Sequence, residues 1–529
     1  MPAALLAALL AAPALADDPG QPDPMERLRG PHGADAPDPV RRQDTWDLHG
    51  ELRGRVDLRT DPPLDPEGAV SGGGWWLSSR LIVGVDWRPT DRLQVALELE
   101  AMNGRFAGPP VLTGTAYSDE VFRLRRADSR DLLRVLPRRL GVAYADPGIG
   151  QVRVGVEPFT WGTGMLANDG AGDPDFGDPN TGSLVARLGF STAPWRFRDG
   201  ATDAARGTVF FVSLDTVLRD DNAALLDGDT AIQGVLGFRL GHPVIDVGAF
   251  GVARWQRDRQ DPLDPREGRT TVTAFPIDLY LKALLTPRRL TDQRVVLEAE
   301  AVLVHGTSDR PYLDETQAGV RVQGVGAVGR LRYDHDRLRL SVRSEIGLAS
   351  GDDDPRDDVA RSFAFHSDYN VGMLLFEHVL PLLTAHALDR AADPALVAVP
   401  SPGGRFTVNQ GVVTNAVYLN GVIRYRPLPD LELRLGHLQA WAPGDVVDVY
   451  QSARNGGYNT TSGGQVGGGR SYGHELDLAI RYTARLPHRL AFDLGLEGAV
   501  LLPGDAFDGL GGGALPTQGL GRGRLAFRW

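Results

Sequence analysis

Cysteine is absent from all 529 residues. That excludes a disulfide scaffold, a thiolate metal site and a cysteine nucleophile. Beyond residue 16 no stretch reaches the roughly 18 uninterrupted apolar residues of a transmembrane helix, so a membrane protein of this sequence has to cross with strands. Lysine is nearly missing, Lys282 being the only one among 56 basic residues. This matches a GC-rich genome and carries no mechanistic weight. A net charge of −12 argues against nucleic acid as a partner. Catalytic signatures are lacking too: neither H-E-x-x-H nor G-x-S-x-G occurs, and histidines are few. Gly324, Gly326 and Gly329 spell G-x-G-x-x-G. They lie in a strand-like ribbon that runs to a turn at Asp334, without the following helix that a dinucleotide site requires. Neither an enzyme nor a cofactor is expected.

What is present begins with MPAALLAALLAAPALA, residues 1–16. This short apolar run ends in the small-x-small triplet Ala14, Leu15, Ala16, the pattern of a cleaved secretory signal peptide, although the usual positive n-region is missing. Residues 17–46 are rich in Pro, Asp and Gly without periodicity, which predicts a disordered periplasmic leader. At residue 47 the pattern changes. In DLHGELRGRVDLR, residues 47–59, every odd position is ionisable and every even position is apolar or glycine. Period two is the strand period. The same alternation returns in LIVGVDWRPTDRLQVALELEA and in GVIRYRPLPDLELRL, each broken by a turn, as in hairpins with one wet face.

A face made wholly of ionisable groups cannot meet hydrocarbon, because one Arg or Lys at the midplane costs roughly 2 to 4 kcal/mol. A dry core is no better, since unpaired buried charge is expensive. One face in lipid and one on a wet lumen satisfies both limits. The predicted fold is therefore all-β: a transmembrane antiparallel up-and-down barrel over residues 47–529 with about 18 strands, 16 to 18 being the range. Connection lengths support it. Short links near 89–92, 146–150, 194–204, 242–243, 286–292, 334–336, 427–430 and 485–488 alternate with long ones near 60–74, 104–135, 167–182, 219–229, 258–269, 307–315, 351–407, 442–470 and 502–516. A barrel with short periplasmic turns and long extracellular loops produces this alternation; the 194–204 link fits it worst. Aromatics predict two girdles: Trp46, Trp87, Tyr144, Tyr333 and Tyr425 near the short turns, and Trp75, Trp161, Trp255, Trp441 and Tyr472 near the long loops.

The final residues GRGRLAFRW place Leu525, Phe527 and Trp529 on one face and Arg522, Arg524 and Arg528 on the other. This resembles the C-terminal strand of bacterial outer-membrane barrels, which closes on an aromatic residue read by the assembly machinery. ASGDDDP, residues 349–355, and the following SFAFHSDYNVGMLLFEH resemble a long mid-barrel loop of alginate-export-type barrels. EPFTWGTGMLANDG, residues 157–170, is similar to a segment of uncharacterised barrel proteins of GC-rich Gram-negative bacteria. The resemblance implies a porin-like chain in the cell outer membrane, with the lipid bilayer, lipopolysaccharide, the barrel assembly machinery and a polar or anionic solute as partners. For the alginate-export type it further implies an anionic polysaccharide in an arginine-lined pore.

The facing of the strands predicts a pore lined by Glu51, Arg53, Arg55, Asp57, Arg59, Arg80, Glu98, Glu100, Arg153, Glu157, Arg339, Arg343, Glu345, Arg424, Arg434, Asp477, Arg481, Asp493, Arg524 and Arg528. Such charges either select solutes at a constriction or pair across strands to stiffen the wall. The 351–407 link carries VGMLLFEHVLPLLTAHALDR, an apolar and helix-compatible piece too interrupted to span a bilayer, which has to bury itself in the mouth or over the rim. Asp352, Asp353, Asp354, Asp357 and Asp358 offer hard oxygen ligands, but not at EF-hand spacing, which favours a solvated acidic loop over a Ca²⁺ site. The expected function is a channel for polar or charged solutes. The alternative is a closed barrel serving as scaffold or surface receptor, favoured by a lumen filled by 351–407. A lipid-modifying barrel enzyme would need a Ser/His pair near the outer rim.

Overall fold

The computed structural model describes residues 45–529 apart from 73, 110–134, 180–181, 197, 199–200, 260–268, 287–291, 310–318, 356, 392, 398–411 and 488–489. The predicted signal peptide and nearly all of the leader, and most of the 104–135 link, lie outside the described residues.

Strict alternation sends one side chain in two to each face, and the long strands keep to it apart from a few local register shifts. They are β1 (Thr45–Arg59), β2 (Trp75–Arg88), β3 (Leu93–Ala107), β4 (Leu136–Asp146), β5 (Gly150–Pro158) and β6 (Leu184–Thr192). There follow β7 (Thr208–Arg219), β8 (Thr230–Gly241), β9 (Ile245–Arg257), β10 (Thr271–Leu284), β11 (Gln293–Ser308), β12 (Val320–His335) and β13 (Leu340–Ala349). After a two-residue piece, β14 (Val359–Ala360), come β15 (Ala416–Leu428), β16 (Leu431–Trp441), β17 (Ser471–Arg485), β18 (Ala491–Pro503) and β19 (Gln518–Arg528). Each long strand pairs antiparallel with the next, β13 pairing directly with β15. β19 returns to β1, with Glu51 opposite Arg528 and Asp57 opposite Arg522. The sheet is thus a closed eighteen-strand up-and-down barrel, which leaves no exposed edge to pair with another chain. Short and long connections alternate as predicted; the least typical short one, after β6, holds a single helical turn, Asp203–Arg206.

The opening ribbon behaves as its pattern requires. On β1, Leu48, Leu52, Val56 and Leu58 are exposed on the outside, while Arg53, Asp57 and Arg59 are buried within. Trp46 and Trp87 stack at 5.1 Å on the outside of the short-turn rim. Trp75 and Trp255 are about half exposed at the other rim. Two members of the expected girdle belong elsewhere: Trp161 and Tyr472 are 2% and 3% exposed. Trp161 packs on Phe250 and Tyr472 on Phe507, inside the barrel. Their neighbours are inward segments, so the amphipathic-ring argument does not apply to them.

Two connections turn into the lumen instead of staying at the rim. The described residues of 159–183, between β5 and β6, cross the bore, reaching Arg53 and Arg524 through Asp178 and Arg343 and Arg424 through Asp175. Residues 361–391 bring an apolar body into the mouth, ending in the π-turn Leu375–Val379 and the helix Leu380–Ala391. Inward-facing glycines make room for both. A Cβ on Gly248 would meet the Trp161 ring at 2.8 Å, and one on Gly326 would meet the Phe363 ring at 2.3 Å. That contact is why glycine stands at Gly326. The apparent nucleotide motif is split between faces, since strand alternation turns Gly329 the other way from Gly324 and Gly326.

Candidate functional site

The lumen is built from alternating wall residues, and most of its charges are paired. Glu51 meets Arg528 at 3.2 Å, Arg55 meets Asp57 at 2.9 Å, and Arg59 meets Asp61 at 3.2 Å. Arg80 and Glu100 pair at 2.7 Å, Glu98 and Arg138 at 2.9 Å, Arg481 and Glu497 at 2.7 Å, and Asp493 and Arg528 at 2.9 Å. Arg153 and Glu157, 3.7 Å apart, are each 22% exposed and His49 is 32% exposed, so this part of the wall is open to solvent. Arg339 is displaced from its expected place: it lies in the turn before β13, with φ +50°, donates to the Pro427 carbonyl and is not on the bore wall. A residue in the turn does not share the strand alternation from which its facing was predicted.

Opposite charges dominate the directly facing pairs, with a pointed exception. Arg53 faces Arg80, Arg55 faces Arg524, Arg332 faces Arg343, and Arg424 faces Arg434. Like charges directly across a ladder are destabilising. Each of these pairs is met by the segment between β5 and β6. The Pro179 carbonyl accepts from Arg53 at 2.9 Å and from Arg80 at 3.2 Å. Asp178 lies 3.2 Å from Arg53 and 2.7 Å from Arg524. Asp175 bridges Arg343 and Arg424. Asp173 lies 3.4 Å from Arg434 and 2.8 Å from Arg481, and Arg434 also donates to the Pro174 and Asp175 carbonyls at 2.9 and 2.7 Å. Phe176 seats the crossing on β16, where a Cβ on Gly436 would meet its ring at 2.5 Å.

The segment is hung from a narrow neck. Ser183 N–H donates to the Asn168 carbonyl at 2.8 Å, and Trp161 N–H to the Ala167 carbonyl at 3.1 Å. Trp161 Nε1–H donates to Asp278 at 3.0 Å, and Glu300 accepts the Thr163 N–H. Sequence reading missed Arg138, which stands on β4 just past the 104–135 link, and it missed Asp173, Asp175 and Asp178 because it counted their stretch as a link. The DPDFGDP run at 173–179 is the only trace they leave in the sequence.

The mouth is closed by different chemistry. Phe363, Phe365, Leu374, Leu375, Phe376 and Leu382 share one core with Val302, Val328, Leu438 and Leu501 of the wall. Two wall carboxylates hold it, Glu475 through its backbone and Glu345 through the Tyr369 hydroxyl. Glu475, fully buried on β17 beside Asp477, accepts the N–H groups of Met373, Leu374 and Leu375 at 2.5, 2.7 and 2.7 Å. Glu345 accepts the hydroxyls of Tyr418 and Tyr369 at 2.6 and 3.1 Å and the Arg330 guanidinium at 2.5 Å. Against the helix Leu380–Ala391 lies a cavity of about 590 Å³, lined by apolar Phe363, Leu383 and Val304 and by charged Asp220, Arg254 and Asp258. The predicted acidic loop meets cations and backbone: Asp357 pairs with Arg361, Asp358 with Arg321, and Asp352 accepts the Arg361 N–H.

A buried Ser/His contact does exist, Ser183 Oγ to His366 Nε2 at 2.9 Å. His366 Nδ1 accepts the Asp368 N–H at 3.0 Å, so the ring proton sits on Nε2 and is donated to the serine. A base would need a lone pair there. The contact ties the two inward segments to each other.

No protein-family model matches this chain, and no curated protein matches it. Among solved structures it is similar to Pseudomonas aeruginosa OccK2 (OpdF), with 9% identity over 92% of this chain and 97% of that one and a TM-score of 0.47. It is likewise similar to Pseudomonas aeruginosa OprD, with 10% identity over 92% and 95% and a TM-score of 0.45. The outer membrane channel DcaP of Acinetobacter baumannii matches with 10% identity over 92% and 98% and a TM-score of 0.39. By its own strand pairing, the chain is a closed eighteen-strand up-and-down barrel.

Proposed function

We propose that this chain is an outer-membrane channel of the porin type that passes small polar or charged solutes through a bore narrowed by residues 159–183. The apolar outer face, from Leu48 to Leu58 on β1 and around to Leu525 on β19, meets acyl chains; the short turns face the periplasm and the long loops the outside. Lipopolysaccharide and the barrel assembly machinery belong to the same proposal. The observation that carries it is a charged lumen with solvent-accessible space: the side chain of Asp173, in the crossing segment, is 69% exposed among arginines. A solute there exchanges hydration for guanidinium and carboxylate contacts. An anionic polysaccharide, the solute implied by the alginate-export resemblance, is the finer version.

The refolded full chain in planar bilayers tests the channel. Discrete conductance steps are expected; a correctly folded barrel that stays silent counts against it. Liposome swelling with sugars, amino acids and oligouronates would rank the solutes. The apolar filling of the mouth by Phe363–Ala391 favours a second function, a closed barrel that binds partners through its loops, and the silent outcome would support it.

A further inference from the structure

The membrane face carries an exception to its own rule. On β16 and β17 the alternation turns Leu435, Leu476 and Leu478 outward, each about half exposed. Among them it also turns out two histidines: His437, between the inward Gly436 and Leu438, and His474, next to the inward Glu475. His437 lies four residues inside Trp441, the outer end of β16, which is about 10 Å down an apolar band roughly 25 Å tall. An ionisable side chain at membrane depth is costly and marks a site with a partner. Part of that partnership is internal. His437 Nε2 and His474 Nδ1 are 3.2 Å apart, and the rings, inclined by only 15° with centroids 5.4 Å apart, meet edge to edge. One N–H proton between the two nitrogens satisfies the contact.

We propose that His437 and His474 chelate a divalent transition-metal ion of the Zn²⁺ and Cu²⁺ class on the outer wall of the barrel. Imidazole nitrogen is the ligand these ions share. Two nitrogens bound at about 2.0 to 2.1 Å stand about 3.3 Å apart at the tetrahedral angle and about 2.9 Å apart at a right angle. The observed 3.2 Å falls between. The ring that donates moves its proton to its other nitrogen, so both lone pairs reach the ion and neither imidazole changes its charge. Space is available beside them: Gly421 of β15 stands directly opposite His437, and a Cβ there meets nothing within 4 Å. The spacing is set by the ladder, with Leu476 opposite His437 and Gln439 opposite His474. A pair held on two hydrogen-bonded strands has little freedom left to lose on binding. No third histidine or carboxylate joins it among the described residues, so the remaining coordination positions are open to exogenous ligands.

Cu²⁺ is the probe, added to the refolded full chain in detergent and read by electron paramagnetic resonance. A bound ion carrying two imidazole nitrogens is expected. His437→Ala and His474→Ala should each weaken its binding at least roughly tenfold, the least that losing even an outer-shell partner of a metal site costs. His305→Ala is the control: it removes an outward histidine of β11, opposite Phe275 and Gln323, and should leave the signal unchanged. The absence of a two-imidazole signal, or its survival in the His437 and His474 variants, overturns the proposal. Should those variants fail to fold, the natural sequence decides. Saturating Zn²⁺ is expected to shield His437 and His474 from diethyl pyrocarbonate while His305 still reacts; modification of both at their metal-free rate overturns the proposal. Neither measurement depends on conduction, since a barrel silent in bilayers can hold the ion and a conducting one can lack it.

Discussion

The segment that crosses the bore between β5 and β6 and the one that fills the mouth between β13 and β15 enter the same barrel and are held there by opposite chemistries. Phe363–Ala391 is anchored by apolar burial. Phe363, Phe365, Leu374, Leu375, Phe376, Leu382 and Leu388 are each at most 4% exposed. At roughly 1.5 to 3 kcal/mol per side chain, withdrawing them would cost on the order of 10 to 20 kcal/mol, as much as the whole stability of a typical domain. Among the described residues of 169–182 only Phe176 is in that class. Most of their remaining contacts are ion pairs and arginine-to-carbonyl hydrogen bonds, joined by the Gly177 N–H donated to Glu497 at 3.3 Å and the Gly182 N–H donated to Asp368 at 2.5 Å. The mouth segment is thus part of the wall in energetic terms, whereas the crossing segment is an occupant.

The comparison breaks most readily at Phe376. Phe376→Ala is expected to cost about 3 to 5 kcal/mol by removing a fully enclosed ring, read as a lower urea midpoint for the refolded barrel in vesicles. A loss below about 1 kcal/mol would mean that the mouth segment is loosely packed. Next comes a matched pair of glycine substitutions. Gly326→Ala drives a methyl into Phe363, which the core prevents from moving, and should cost about 1 to 3 kcal/mol. Gly436→Ala makes the corresponding clash with Phe176, which can lift away. It should leave the urea midpoint nearly unchanged and raise single-channel conductance. Equal stability losses at the two glycines would erase the distinction.

A smaller effect concerns acid. Asp65, in the link between β1 and β2, clasps the mouth helix through His386 at 3.0 Å and Arg390 at 2.7 Å, with Glu67 also facing Arg390 at 3.6 Å. Burial by itself would raise the Asp65 carboxyl, but the Ala69 N–H, His386 and Arg390 outweigh it and hold it below the ordinary aspartate value of 3.8. A carboxyl depressed on folding contributes stability above the free-aspartate range and loses it only as pH falls through its lower folded value. Acidification from pH 7 to 5 should therefore leave trypsin cleavage at Arg390 unchanged, and early release there would refute the clasp. The smallest effect is Asp358→Asn. Its pair with Arg321 is more than half exposed on both sides, and the change in urea midpoint should stay below about 0.5 kcal/mol.

Much of the wall was legible without coordinates. The period-two pattern of DLHGELRGRVDLR predicts Arg53, Asp57 and Arg59 inside and Leu48, Leu52 and Val56 outside, because strand geometry alone assigns the face. The failures share one cause. Trp161, Tyr472, Asp173, Asp175 and Asp178 lie in or beside connections that enter the bore, and there alternation carries no information. A Pro-, Asp- and Gly-rich link looks the same whether its water is outside the barrel or within it. The inward glycines were a missed signal: Gly248, Gly326 and Gly436 mark where Trp161, Phe363 and Phe176 dock, but a glycine in a strand can equally mark a bend or a bulge.

By itself the sequence determined that the sheet closes, that it takes 16 to 18 strands and which face of most of them is wet, because these follow from periodicity and connection length, and both are local properties of the chain. Tertiary structure alone decided what occupies the lumen. The arginine of β1 and the aspartate of the segment after β5 are more than a hundred residues apart, as Arg53 and Asp178 are, and only closure of the barrel brings them within 3.2 Å.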